Sequence, residues 1–215
     1  YYKDNVKVDG DTVTRTSTVQ VLEPDTLTFD NTLINNSKYT GYKLNSTDPE
    51  QVPSTVNSGA TIKVYYVKDN FVYTVEYYYD GVKDDSKTET GTATYQDVIS
   101  TYTDKNITGY KLDKTEGLPL TITEVSANNV IKVYYIVDDG NTKTLSYTVE
   151  YYKGGAKVEE DTVTRTSTVQ VLQPDTLAFD STLINNNKYT GYRLDSTDPE
   201  QVPDTLNSGA VVKVY

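Results

Sequence analysis

The chain contains the same text twice. Residues 1–65 and 151–215 align without a gap at an offset of 150, agreeing at 50 positions and differing at 15. The decapeptide Asp11-Thr12-Val13-Thr14-Arg15-Thr16-Ser17-Thr18-Val19-Gln20 recurs unchanged as Asp161 to Gln170, and Thr47–Pro53 recurs as Thr197–Pro203. A more distant copy lies between them, over about 73–136. It shares the opening segment Tyr73–Tyr78, the block Thr108-Gly109-Tyr110-Lys111-Leu112 (Thr40 to Leu44 in the first copy) and the closing segment Ile131–Tyr135. Repetition of this kind restricts the chain to small modules in series rather than one large core. The order is A-B-A′, with repeat A over 1–67, repeat B over 73–137 and repeat A′ over 145–215. Tyr1-Tyr2 match Tyr151-Tyr152 inside an opening strand, and Tyr215 falls inside a closing one. With no Met either, the chain is expected to be a piece of a longer protein that continues both ways as alternating modules.

Alternating segments bracket each copy. In repeat B, Tyr73, Val75 and Tyr77 fall on one face of an extended chain and Thr74, Glu76 and Tyr78 on the other. That is the period-two pattern of a half-buried strand. The run Ile131-Lys132-Val133-Tyr134-Tyr135 alternates in the same way. Asp80-Gly81 predicts a tight hairpin, since such a dipeptide accepts the positive φ of a two-residue turn. A second strand is predicted over about Lys87–Ala93. Tyr95, Val98, Ile99 and Tyr102 then stand at i, i+3, i+4 and i+7, which predicts a short helix capped by Thr94. Strands over Gly109–Asp113, about Leu120–Glu124 and Val130–Val137 complete the repeat. Copies A and A′ read alike, with a longer second strand (Val13–Leu22 in A). Their helix would start near Pro24-Asp25, face Phe29, Leu33 and Ile34 inward, and end at Asn35-Asn36.

The order strand, strand, helix, strand, short strand, strand is that of a β-grasp module, whose opening and closing strands lie parallel and adjacent. The fold class expected is mostly β (α+β): three tandem β-grasp modules, each a mixed sheet with one short helix, arranged as an extended rod. The connectors Lys68–Val72 and Asp138–Lys143 are too short and too poor in Gly and Ser to be loose tethers. In repeat B the alternation sends Val75 and Tyr77 inward with Ile131, Val133 and Tyr135. It sends Glu76 and Tyr78 outward beside Lys132 and Tyr134.

Composition narrows the function classes. The chain has 21 Tyr against 3 Phe and no Trp, and a net charge of −11. Tyr lets a small module bury a ring while the hydroxyl stays wet. The charge and the lack of a basic patch argue against nucleic acid and against an anionic membrane surface. No apolar run approaches the roughly 18 residues of a bilayer span, so no membrane insertion is expected of this stretch. There is no Cys and no His, so disulfides, thiolate metal sites and the commonest general base are missing. The acidic pairs Asp84-Asp85, Asp138-Asp139 and Glu159-Glu160 are adjacent in turns, whereas a glycosidase needs two carboxyls facing each other across a cleft. Asp138-Asp139-Gly140-Asn141 lacks the spacing of an EF-hand loop and reads better as a turn. No enzyme, cofactor or metal is expected. A Lys–Asn isopeptide crosslink would suit a Cys-free shaft, but most Lys residues stand at outward or turn positions.

The run Tyr73-Thr74-Val75-Glu76-Tyr77-Tyr78-Tyr79-Asp80-Gly81, then Gly91-Thr92-Ala93-Thr94-Tyr95, Gly109-Tyr110-Lys111-Leu112 and Val130–Tyr135, resembles the mucin-binding-protein (MucBP) repeat of Gram-positive surface proteins. Copies A and A′ depart from that pattern in the longer second strand and in Asp48–Pro53. The resemblance implies ubiquitin-like β-grasp repeats in a secreted, wall-attached adhesin. Two functions compete. One is a stalk segment that projects another domain and contacts only neighbouring repeats. The other is a module that binds host mucin or another glycan through Tyr on the open sheet face, with Tyr78, Tyr134, Tyr152 and Tyr65 as candidate ligand-binding residues beside Tyr2 and Tyr215. Flat rings stack on sugars, and equally they stabilise a one-layer sheet by stacking on each other.

Overall fold

A computed structural model describes residues 1–105 and 107–215. Strands and single 3-10 turns make up its regular structure, and no α-helix occurs among the described residues. Those residues divide into two compact units, one of 1–104 with 113–134 and one of 105–112 with 135–215.

In repeat A the sheet runs in the order Val6–Lys7, Tyr2–Lys3, Lys63–Lys68, Tyr42–Asp48. The opening and closing strands are parallel, with Tyr2 opposite Tyr65, and Tyr42–Asp48 is antiparallel to the closing strand. The sheet is therefore mixed. A two-stranded ribbon, Thr26–Thr28 with Thr55–Asn57, stands apart from it. In repeat B the order is Tyr110–Glu116, Val130–Val137, Asn70–Tyr79, Val82–Lys83, and Glu89–Thr94 also pairs with Asn70–Tyr79. The expected hairpin is present. Tyr79 lies opposite Val82, with Asp80 at φ 48° and Gly81 at φ 79°, the left-handed values that a two-residue turn between twisted strands requires.

The inward set of repeat B follows its alternation, with Val75, Tyr77, Ile131, Val133 and Tyr135 all buried. In repeat A′ the long strand Thr142–Lys153 is central. Val163–Gln170 runs antiparallel along eight of its residues, and Ala210–Val214 runs parallel on the other side. Its core joins Leu145, Tyr147, Val149 and Tyr151 to Leu177, Leu206, Val212 and Val214. Buried Tyr rings keep their hydroxyls satisfied by reaching loop backbone. Tyr66 donates to the Asn35 carbonyl at 2.6 Å, Tyr77 to that of Thr103 at 2.6 Å and Tyr151 to that of Leu183 at 2.8 Å. A ring thus does the work of an aliphatic core residue and also pins the loop above it.

Three sequence expectations are corrected. The predicted helix over Tyr95–Tyr102 is absent: Val98-Ile99 form a short strand paired with Leu120-Thr121, and Gln96 sits at φ 67°, outside helical space. Four apolar residues in two turns bury too little to offset helix nucleation, and β-branched Val98 and Ile99 fit a strand better. The helix expected near Pro24–Ile34 is likewise replaced, by the strand Thr26–Thr28 and a single 3-10 turn Asn31–Leu33. Asp30 caps that turn by accepting from the Thr32 NH at 3.1 Å, and Asp180 repeats this with Thr182 in A′. Second, most of the connector Lys68–Val72 is strand, since Lys63–Lys68 and Asn70–Tyr79 leave only Asp69 between them. Third, the long second strand exists in A′ as Val163–Gln170, whereas in repeat A Val13–Gln20 carries no strand pairing.

Candidate functional site

The outward sheet faces carry one stacked Tyr pair per repeat. Ring centroids are 4.9 Å apart for Tyr2–Tyr65, 4.8 Å for Tyr78–Tyr134 and 4.8 Å for Tyr152–Tyr215. Alternation places one Tyr of each pair on the opening strand and the other on the closing strand, and the pairing of those strands brings them face to face. Acidic residues hold the hydroxyls of Tyr78, Tyr152 and Tyr134. Tyr78 donates to Glu76 at 2.8 Å, Tyr152 to Glu150 at 3.0 Å and Tyr134 to Glu116 at 3.1 Å. Lysines hold those carboxylates in turn, Lys83 on Glu76 at 2.8 Å, Lys157 on Glu150 at 2.9 Å and Lys114 on Glu116 at 2.6 Å. Hydrogen bonding to the Lys keeps all three glutamates below their usual range. The bond to Glu76 raises the Tyr78 hydroxyl, and the bond to Glu150 raises that of Tyr152.

This geometry leaves little free ring surface in repeat B. Tyr78 covers Tyr134 from one flank. Lys114, on the strand at the other flank, places its ammonium 4.7 Å from the Tyr134 centroid, a cation–π contact. All four candidate residues, Tyr78, Tyr134, Tyr152 and Tyr65, stand on the outward face and are half-buried there. Tyr152 differs in lining a cleft of about 670 Å³, with Tyr189, Tyr192, Asn186 and Arg193 among its other walls.

Sequence reasoning marked the connectors between repeats only as short and stiff, and the two are built alike. In the first, the Gly41 carbonyl accepts from the Asp69 NH at 2.9 Å, and the Asp69 carbonyl accepts from the Tyr95 NH at 2.8 Å. The Asp69 carboxylate accepts from Lys43 Nζ at 2.8 Å, which holds its pKa below the usual value. The Tyr95 ring lies on Gly41 so closely that a Cβ there would stand 2.4 Å from ring carbons. It meets Tyr42 and Phe71 edge-on, with centroids at 6.1 and 6.2 Å. In the second, the Gly109 carbonyl accepts from the Asp138 NH at 2.8 Å, and the Asn141 carbonyl accepts from the Val171 NH at 2.9 Å. Lys111 Nζ lies 3.5 Å from Asp138. A Cβ on Gly109 would meet Leu172 at 2.6 Å. Gly-Tyr-Lys, written Gly41-Tyr42-Lys43 and Gly109-Tyr110-Lys111, is the sequence signal that marks this arrangement: glycine at positive φ with no side chain, so that the next repeat can lie on it.

The acidic turn at the second of these places is occupied by its own backbone and a lysine. Asp138 accepts from the Gly140 NH at 3.2 Å as well as facing Lys111. Among the described residues no cluster of acidic side chains has a metal-binding arrangement, and no helix is long and apolar enough to cross a membrane.

No family model matches the chain, and neither does any curated protein. Among solved structures it is similar to the type 2 repeat of the mucus binding protein MUB from Lactobacillus reuteri. The likeness is 16% identical, covers 67% of this chain and 98% of that one, and has a TM-score of 0.22. A likeness that weak carries no argument about this chain.

Proposed function

We propose that the chain is a tandem-repeat stalk segment of a secreted, cell-wall-attached bacterial surface adhesin, made of three β-grasp-like repeats in an extended array that projects another domain. The observation that carries this reading is the duplicated join between repeats. A strand passes from one repeat to the next through a single residue, Asp69, or four, 138–141. The same Gly carbonyl and the same Lys–Asp contact fasten it in both places. Fastened joins resist bending, which is what a spacer needs and a ligand-binding module does not. The stacked pair of repeat B then serves the sheet itself, its hydroxyls taken up by Glu76 and Glu116 and its ring faces by each other and Lys114. Small-angle scattering across a salt series tests this. A maximum dimension that grows in proportion to repeat number and stays constant with salt supports a stalk, and collapse to a compact particle rejects it.

A second reading rests on the cleft beside Tyr152. Aromatic rings, amides and a guanidinium around about 670 Å³ suit a saccharide of mucin type. Saturable mucin or glycan binding that disappears in Tyr152→Ala/Tyr192→Ala, with the fold intact, would make this chain a binding module. Absence of binding at millimolar glycan would leave the stalk.

A further inference from the structure

Sheet edges keep main-chain groups unpaired, and bulges, Pro and charged side chains are the usual devices that stop them from pairing with another chain. In repeat A, the edge strand Tyr42–Asp48 is broken by a bulge between Leu44 and Ser46 and runs into Pro49. In repeat B, Tyr110–Glu116 sets Lys111, Asp113, Lys114 and Glu116 along its length. Val163–Gln170 in repeat A′ is different. It is eight residues long, contains no Pro, and pairs with Thr142–Val149 in unbroken register. Thr164 to Thr168 are all exposed. Its one charged residue, Arg165, is drawn to Asp180 at 3.0 Å. Among the described residues no strand pairs with its other side. The edge lies in the interior of the chain, and Glu89–Thr94 takes the same place beside Asn70–Tyr79 in repeat B.

The phase of the ladder says which groups the edge offers. Opposed residues in an antiparallel pair alternate between those that exchange both main-chain bonds and those whose NH and C=O point away. The Val171 NH donates to the Asn141 carbonyl at 2.9 Å, one step beyond Gln170 opposite Thr142. The odd-numbered residues of the strand therefore bond to Thr142–Val149. The NH and C=O groups of Thr164, Thr166 and Thr168 point outward. On the far side of the central strand, the Ser146 carbonyl accepts from the Gly209 NH at 2.7 Å, which fits the same phase. Gln170 has the phase of the threonines, but its carbonyl already accepts from the Gln173 NH at 3.0 Å, where the chain turns.

We propose that Val163–Val169 is a self-association edge, whose partner is the same strand of a second copy of this chain. The two run antiparallel, with Thr166 opposite Thr166 and Thr164 opposite Thr168. This register opposes the residues whose main-chain groups are free, and each pair exchanges both of its bonds. A shift by two residues would oppose Thr164 to Gln170, whose carbonyl is engaged. The threonine side chains then stand against each other across the junction, as Thr148 and Thr164 already do within the repeat, with their Oγ1 atoms 3.4 Å apart. The partner is a second copy because the edge is its own complement: no carboxylate stands on the strand, so the net charge of −11 is not concentrated at the contact. A two-fold axis at Thr166 closes the assembly as a dimer and joins two sheets into one. One strand edge is a small contact, so each pairing is weak and gains strength where several act together. The paired chains run in opposite directions, which suits copies that approach from facing surfaces. That last consequence rests on the stalk reading, and the pairing does not.

Sedimentation velocity and amide exchange of the whole 215-residue chain, over a concentration series into the millimolar range, test the pairing. The expected result is a monomer–dimer equilibrium in which exchange at the Thr164, Thr166 and Thr168 amides slows at least tenfold with concentration. The amides of Arg165 and Ser167, bonded within the repeat, should not change. A chain that stays monomeric at millimolar concentration, or a dimer without that protection, overturns the proposal. Thr166→Lys sets two ammonium groups face to face at the axis and should abolish the dimer. Thr166→Pro should do the same, since it removes an NH that makes no bond within the repeat. A dimer that persists in either folded variant places the contact elsewhere and refutes the edge. Register is read by oxidation, because the chain has no Cys of its own. Opposed Cα atoms about 5.5 Å apart lie within the span of a disulfide. Thr166→Cys should form a covalent dimer, and so should Thr164→Cys mixed with Thr168→Cys, but not Thr164→Cys alone. Equal crosslinking of Thr164→Cys alone overturns the register. Failure of the stalk would instead appear as a compact particle in scattering and would leave these results unchanged.

Discussion

Gly41→Ala, measured against Gly191→Ala, isolates the contribution of the join between repeats. The two glycines occupy the same position in copies A and A′, each between Thr and Tyr, at φ 77° and 82°. An alanine costs about 1–2 kcal/mol at either position for its left-handed backbone, and this cancels in the difference. Their surroundings do not cancel. At Gly191 nothing lies within 4 Å of the added Cβ, while at Gly41 it would meet Tyr95 Cγ and Cδ1 at 2.4 Å. Cγ is the root of the ring, so a terminal rotation cannot relieve the clash. The ring must leave, and with it go the edge-on contacts to Tyr42 and Phe71, each worth about 0.5–1.5 kcal/mol. The expected excess for Gly41→Ala is therefore about 1–3 kcal/mol. Native-state hydrogen exchange at the Asp69 and Tyr95 amides, whose bonds close the join, is the assay, because global unfolding of a multi-repeat chain need not be two-state. About 1.4 kcal/mol is tenfold, so exchange there should accelerate by roughly 5- to 150-fold, and Gly191→Ala should leave those amides unchanged. Equal effects of the two substitutions, within about 0.5 kcal/mol, would refute the idea that the ring locks the repeats together.

Asn129→Ala should destabilise repeat B by about 2–4 kcal/mol, read as faster exchange of the Thr123 amide. The buried Asn129 side chain accepts from Thr123 N and Oγ1 at 2.9 Å each and donates to the carbonyls of Thr123 and Val72 at 2.9 and 3.2 Å. Acid should weaken the fold. Glu76 and Glu150 are held below the ordinary 4.5 by Lys83 and Lys157, so their stabilisation is complete above about pH 4.5 and is lost as pH falls through the depressed values. A urea-midpoint series over pH 3–7 checks this, and a midpoint that stays flat down to pH 3 contradicts it. Tyr78→Ala/Tyr134→Ala should loosen the repeat B sheet by about 1–2 kcal/mol without altering adhesion to mucin. Loss of saturable mucin binding with the fold intact would instead place the ligand on that face.

The strands, the hairpin at Asp80-Gly81 and the inward and outward sets of repeat B were legible in the sequence, because alternation and turn chemistry are local properties. Tyr78 and Tyr134 could be placed on one face for the same reason, and pairing of the opening and closing strands made them a stack. The stretch Tyr95–Tyr102 was not legible. Its four apolar residues satisfy a helical stripe and a pair of short strand contacts equally well. Leu120 and Thr121, far along the chain, decided between them by pairing with Val98 and Ile99. The same holds for Gly41 and for Gly109, which read only as the start of a strand, since Tyr95 and Leu172 lie over them from distant segments, and for Asn129, whose partners lie on two other segments. Most telling is Val13–Gln20, which has the same eight-residue text as its copy in A′ and a different state. Local sequence sets what a strand can pair with, and only the arrival of a partner edge from elsewhere decides whether it does.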